Sequence, residues 1–198
     1  MNAYPSELPV IDPVVPKKKV MAFNDPDWLF ELKYDGFRGV LYHENGRVRL
    51  MSRSGKHLSQ FGELERFLTH CLPKQDLILD GEVVSLDASG RPLFDDLRQK
   101  HHRGILTYMA FDMLWRNGKD LRPLPLRKRR EMLHRFVQKK AKGCIRTAFG
   151  VVGKGTRLFE SIVDNDLEGV VAKRLESAYM KKTQWWKILN PDYSRKHH

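Results

Sequence analysis

The stretch ELKYDGFR, residues 31–38, sets an ammonium group inside a run that otherwise reads as a buried strand. Leu32, Tyr34 and Phe37 surround Lys33, and Asp35-Gly36 is a turn signal two residues beyond it. A lysine so placed has two readings. The common one is an edge-strand lysine whose stem lies on apolar surface while its head reaches water. The other is a nucleophile whose amine is made available by desolvation and neighbouring cations. Lys33 taken alone favours the first.

The sequence around it alternates strands and helices without regular βαβ order. A strand through 29–33 is followed by a hairpin, in which FRGVLYH and RVRLMSR flank the primed-turn pair Asn45-Gly46. Phe61, Leu64, Phe67, Leu68 and Cys71 recur at helical spacing within 59–72. DLILDGEVVSLD (76–87) and ILTYMAFDMLW (105–115) read as strands, the second apolar on both faces and therefore central. Pro125 opens a helix with an apolar stripe at Leu126, Leu133, Phe136 and Val137. CIRTAF, EGVVAKR and TQWWKIL read as strands, with a helix near 156–166. This pattern predicts an α+β fold with largely antiparallel sheets flanked by helices. Residues 1–27 read as an extended N-terminal segment, 28–190 as the folded domain and 191–198 as a tail.

The charge points to a polyanion. Thirty-six Lys and Arg against 24 Asp and Glu leave +12, and basic side chains at phosphates release condensed counterions. No apolar run approaches bilayer-spanning length and the first residues lack the apolar core of a secretory signal, so a cytoplasmic protein without a membrane partner is expected. Cys71 and Cys144 lie far apart without metal-ligand spacing and are expected to be reduced thiols. The helix at 127–142 carries eight Lys or Arg, which reads first as a solvated face and second as a contact for duplex backbone.

Glu82 in LDGEVV and Glu168 in LEGVVAKR each follow or precede a glycine at a β-branched strand, and Lys173 and Lys187 are set into strand-like runs. Acids and bases inside strands are costly unless they meet around a ligand. A nucleotide with a divalent metal would gather them, carboxylates on the metal and lysines on phosphates. GVVGKGT (150–156) has the wrong glycine spacing for a phosphate loop and reads as a plain flexible loop.

Taken in order, ELKYDGFR, SRSGK, LDGEVV, YMAFDML, EGVVAKR and WWKIL resemble the motif series of the ATP-dependent DNA ligases, in their adenylation (nucleotidyltransferase) domain and closest in flavour to the bacterial end-joining type. The resemblance implies an ATP-grasp-like nucleotidyltransferase fold using ATP and Mg²⁺. By its motifs, Lys33 is the nucleophile that takes AMP, Glu31 lies by the adenine, and Arg38 contacts ribose and later the 5′-phosphate of a nick. Arg53 binds DNA phosphate, Glu82 holds ribose or metal, Phe111 stacks on adenine, Glu168 is the second metal carboxylate, and Lys173 and Lys187 serve the nucleotide. The implied partners are nicked or broken duplex DNA and a separate end-joining or DNA-binding protein. The chain itself is expected to be a monomer, nucleoid-associated when on DNA.

Two departures stand out. Where the family has Lys-x-Lys, this chain has Lys187-Ile188-Leu189, leaving Asn190 and Arg195 as the nearby polar residues that could stand in. The sequence also ends at NPDYSRKHH, so no OB-fold domain is expected. These departures keep two other readings open: an RNA-ligating or capping nucleotidyltransferase, and a catalytically weak DNA-binding module.

Overall fold

In a computed structural model of the protein, residues 8–99, 102–141 and 143–194 are described, Phe94 by its backbone alone. The chain divides into two compact units. Of the described residues, unit 1 comprises 8–13, Gly36–Arg122 and Arg129–Thr147. Unit 2 comprises Val14–Asp35, Pro123–Lys128 and 148–194.

Unit 2 is built on a five-stranded sheet. Its strands are β1 (Lys17–Lys18), β2 (Trp28–Lys33), β9 (Gly150–Val152), β10 (Gly169–Arg174) and β11 (Trp185–Leu189), in the order β1-β11-β10-β2-β9. All its pairs are antiparallel except β1 with β11. The period-2 alternation of strands sorts side chains onto two faces. Trp28, Phe30, Val170 and Ala172 pack with Ile162 of helix α3 (Gly155–Asp164), along with the half-buried Leu32 and Trp186. Apolar burial on that face, at about 25 cal/mol per Å², is the main term holding α3 to the sheet.

Unit 1 holds a six-stranded sheet of β3 (Phe37–Glu44), β4 (Arg47–Ser52), β5 (Leu77–Leu86), β6 (Ile105–Arg116), β7 (Lys119–Asp120) and β8 (Ile145–Thr147). The order is β4-β3-β5-β6-β7, with β8 added parallel to β6. Asn45 and Gly46, with φ of 51° and 70°, make the expected primed turn between β3 and β4. Helix α1 (Gly62–Cys71) supplies Leu64 and Leu68, and helix α2 (Leu126–Lys140) supplies Leu133 and Phe136, to a core shared with Leu41, Leu79, Tyr108 and Met113. The sheets are largely antiparallel and the fold is α+β, as the alternation of strands and helices predicts.

Three expectations are corrected. GVVGKGT is no loose loop: Gly150–Val152 pair with β2 and Gly155 opens α3. Three residues are too short a run for periodicity to mark as a strand. Cys71 and Cys144 are not separate thiols but form a disulfide, with Cα atoms 5.9 Å apart. Cys71 ends α1 and Cys144 follows α2, so their proximity is tertiary and invisible in their spacing. The basic helix is not evenly solvated, because Arg129 and Arg130 are buried. The extended N-terminal segment also contributes to structure: Lys17–Lys18 join the sheet as β1, and Leu8, Ile11 and Val14 are buried. Arg195 and the terminal histidine pair lie outside the described residues.

Candidate active site

The face of the unit 2 sheet opposite α3 collects Glu31 and Lys33 of ELKYDGFR and Lys173 of EGVVAKR. Cross-strand register aligns Lys33 with Gly169 and Leu189, Glu31 with Val171 and Lys187, and Leu29 with Lys173 and Trp185. Each of these rows places its members on one face, and the intervening rows place Phe30, Ala172 and Trp186 on the other. Alternation in β2 thus explains how Lys33 can stand in an apolar-looking strand: its neighbours Leu32 and Phe30 point the other way.

Lys33 donates to Oε2 of Glu168 at 2.5 Å, both side chains about one-quarter to one-fifth exposed. Burial pushes the Glu168 carboxyl up, Lys33 pulls it down, Asp35 adds to the rise, and Lys187 opposes it. Glu168 sits immediately before Gly169. A Cβ at Gly169 would lie 2.2 Å from the Ile188 carbonyl, so only glycine admits this close passage beside Lys33. Deeper on the same face, Lys173 donates to Oε2 of Glu31 at 2.5 Å with both side chains almost fully buried, and its ammonium lies 4.0 Å from the Trp185 ring centroid. Lys187 is half-buried, as is Leu189.

Asn190 does not stand in for the missing lysine. Its amide Nδ2 donates to the Leu167 carbonyl, its Oδ1 accepts from the Asp192 amide, and its own N–H donates to the Glu168 carbonyl. Buried and committed to backbone, it holds the Glu168 turn. Asp35, beyond the lysine, accepts from the Tyr193 hydroxyl at 2.9 Å.

Unit 1 carries the remaining residues. Arg38 forks onto Asp80, Nε to Oδ1 at 3.1 Å and Nη2 to Oδ2 at 2.6 Å, with its guanidinium 5.4 Å from the Phe111 ring centroid. Glu82 is paired with Arg38 across β3 and β5. Gly36 is required where it stands, since a Cβ there would come within 2.4 Å of the Val83 carbonyl. Phe111 is half-buried, its carbonyl accepting from Arg130. The next residue, Asp112, takes a fork from Arg129 at 2.8 and 2.9 Å with both side chains fully buried. Arg53 is exposed in the turn after β4.

Sequence reasoning missed Asp80, Asp112 and Arg129. Asp80 stands two residues before Glu82 in a stretch already singled out. Arg129 and Arg130 fall between Leu126 and Leu133, where the helical stripe has a gap, and this was the available signal.

The model of the ATP dependent DNA ligase domain matches residues 13–188. The multifunctional non-homologous end joining protein LigD of Pseudomonas aeruginosa is 34% identical over 168 residues, covering 82% of this chain and 20% of that protein. DNA ligase C1 of Mycolicibacterium smegmatis is 32% identical, over 88% of this chain and 55% of its own length. Among solved structures, mycobacterial DNA ligase D complexed with ATP and MES superposes with a TM-score of 0.78 at 28% identity, over 89% of this chain and 59% of that one. The chain spans about a fifth of the multifunctional LigD proteins it matches. With the family model matching most of its length, this chain belongs to the ATP dependent DNA ligase domain family.

Proposed function

We propose that residues 28–190 act as the adenylation core of a DNA ligase that seals 5′-phosphate/3′-hydroxyl breaks in DNA repair or recombination. The observation that carries the reading is the amine of Lys33, partly exposed on the charged face of its sheet and held by Glu168. The Lys33 nitrogen attacks the α-phosphorus of ATP, the bond to the β-phosphate oxygen breaks, and pyrophosphate leaves with that electron pair. Glu168, within hydrogen-bond reach, takes the proton that the nitrogen gives up; a carboxyl pushed up by burial is suited to it. AMP then passes from Lys33 to a 5′-phosphate, and a 3′-hydroxyl displaces it.

Glu31 is assigned to the adenine, Lys173 to fixing Glu31 and serving the nucleotide, and Lys187 to its phosphates. From unit 1, Phe111 is assigned to the adenine face, Arg38 to ribose and 5′-phosphate, and Arg53 to DNA phosphate. Among the described residues no three His, Cys, Asp or Glu form a metal cage. Mg²⁺ commonly takes one or two carboxylates and completes its shell with water and substrate phosphate, so a single carboxylate such as Glu168 of unit 2 would be enough to hold it, and Glu82 of unit 1 is assigned to the ribose hydroxyl or the metal. When bound, the ion neutralises charge developing on the phosphates. We assign the protein to the cytoplasm, as a monomer acting on nicked or broken duplex DNA beside a separate end-joining protein. None of the described helices is long and apolar enough to cross a membrane.

The test is incubation with α-labelled ATP and Mg²⁺, read by intact mass. The protein gains one AMP, and Lys33→Ala gains none. DNA binding with no covalent AMP on the wild type would leave the binding-module reading, which Leu189 favours, in its place.

A further inference from the structure

The charged face of the unit 2 sheet continues one strand beyond the residues assigned above. β1 pairs in parallel with β11, Lys17 opposite Trp186 and Lys18 opposite Lys187, and the Lys19 N–H donates to the Lys187 carbonyl at 2.9 Å. Trp186 faces α3, and Lys19 lies over the rings of Phe23 and Trp186 on that side, at 5.1 and 5.5 Å. Alternation along three residues therefore sends Lys17 and Lys19 to the α3 face and Lys18 to the face of Lys33. Lys18 thereby becomes the end of the row Lys18–Lys187–Val171–Glu31.

Two ammonium groups thus rise side by side from strands about 5 Å apart. Like charges on neighbouring strands repel, and among the described residues neither ammonium makes an ion pair with a carboxylate. The field of Lys187 reaches the Glu168 carboxyl that holds Lys33. A pair of lysines with no ion-paired carboxylate among the described residues, beside the Lys33 amine, is arranged for an anion that arrives from outside. The sequence also lacks a lysine at 189, where the row of Lys33 would otherwise have carried a second cation.

We propose that Lys18 and Lys187 form a two-lysine seat for phosphate on the face of Lys33, and that it takes the phosphates of the nucleotide. The inference rests on the nucleotidyl-transfer reading above. It adds Lys18, from the N-terminal segment, as a phosphate-binding residue that occupies the role left by Leu189.

Lys17 supplies the control, since Lys17→Ala removes the same charge one residue away on the opposite face. The two variants and the wild type are titrated calorimetrically with inorganic tripolyphosphate and with a nicked duplex, and their AMP gain from ATP is timed by intact mass. Melting temperatures confirm that these exposed positions leave the fold intact. Lys18→Ala weakens tripolyphosphate binding and raises the ATP concentration needed for half-maximal charging by about tenfold, the scale of a charged hydrogen bond. Lys17→Ala stays within about twofold of wild type. Equal losses in the two variants would reduce the effect to general charge, and no loss in Lys18→Ala would remove the seat; either overturns the proposal. A Lys18→Ala loss confined to the nicked duplex would assign the seat to DNA backbone and overturn the nucleotide assignment. If the wild type binds tripolyphosphate through Lys18 yet never gains AMP, the seat stands and the nucleotidyl-transfer reading fails.

Discussion

Lys33 and Glu168 meet at 2.5 Å although 135 residues separate them, because β10 runs antiparallel to β2 and places Gly169 opposite the lysine. The carboxylate is thus delivered by register, not by a flexible loop. Replacing it tests its part in the reaction. Glu168→Gln keeps the shape and a hydrogen-bond acceptor but removes the charge and the proton acceptor. We expect Lys33 charging to slow by about a hundredfold, the low end for a positioned acid or base. The pair is partly exposed, so the melting temperature changes little. Single-turnover mass measurements give the rate, and an unchanged rate would assign Glu168 no part in charging.

Leu189 shares a row with Lys33 through Gly169 and is half-buried on the charged face. It therefore differs from a core leucine, whose replacement by lysine would bury a charge and destabilise the fold. We expect Leu189→Lys to charge Lys33 faster, by about tenfold, since a preorganised cation near the reacting phosphate is worth at least that. A lower melting temperature with no gain in rate would show that the side chain is packed too tightly for the exchange.

Arg129 and Asp112 are both fully buried in unit 1, joined by two hydrogen bonds. Removing one partner leaves the other charge stranded. Arg129→Met is expected to cost about 3–5 kcal/mol of unfolding free energy, whereas Arg129→Met with Asp112→Leu recovers much of the loss. Chemical denaturation of the three proteins measures both, and a single variant as stable as the wild type would contradict the buried pair.

Much of this fold is legible because periodicity survives tertiary context. β2, β3, β5, β6, β10 and β11 were readable from alternation or apolar runs, and Asn45-Gly46 from its need for positive φ. β1 and β9 were not, being two and three residues long and stabilised by neighbours rather than by their own composition. For the site, Lys33 and Glu168 stood out as charges in strands. Their pairing, the burial of Lys173 on Glu31 and the fork of Arg38 on Asp80 depend on register between distant strands, which no local pattern encodes.

The Cys71–Cys144 bond closes a loop across unit 1, between residues 73 positions apart. Cross-linking so long a loop restricts the unfolded chain, and losing such a bond typically costs about 2–4 kcal/mol. Denaturation with and without reductant, alongside Cys71→Ala/Cys144→Ala, reads this out. The wild type is expected to lose stability in reductant while the double variant is unmoved by it. Identical wild-type curves in both conditions would mean that the thiols are free in solution.

His43 gives unit 1 an acid limit. It lies in β3 opposite Leu77, fully buried. Burial pushes its pKa below the ordinary 6.5, with Asp76 and the Gln75 backbone acting in the other direction. The folded state therefore binds the imidazole proton less tightly than the unfolded chain does. The stability from neutral His43 is complete above about 6.5 and is lost as pH falls from there through the lower folded value. Each pH unit inside that window removes at most about 1.4 kcal/mol. His43→Leu keeps the site apolar and removes the titration, so its unfolding free energy should fall less steeply than the wild type's as pH is lowered below about 6.5. Parallel slopes would mean that His43 takes up its proton equally in both states, and that the acid limit belongs to other groups.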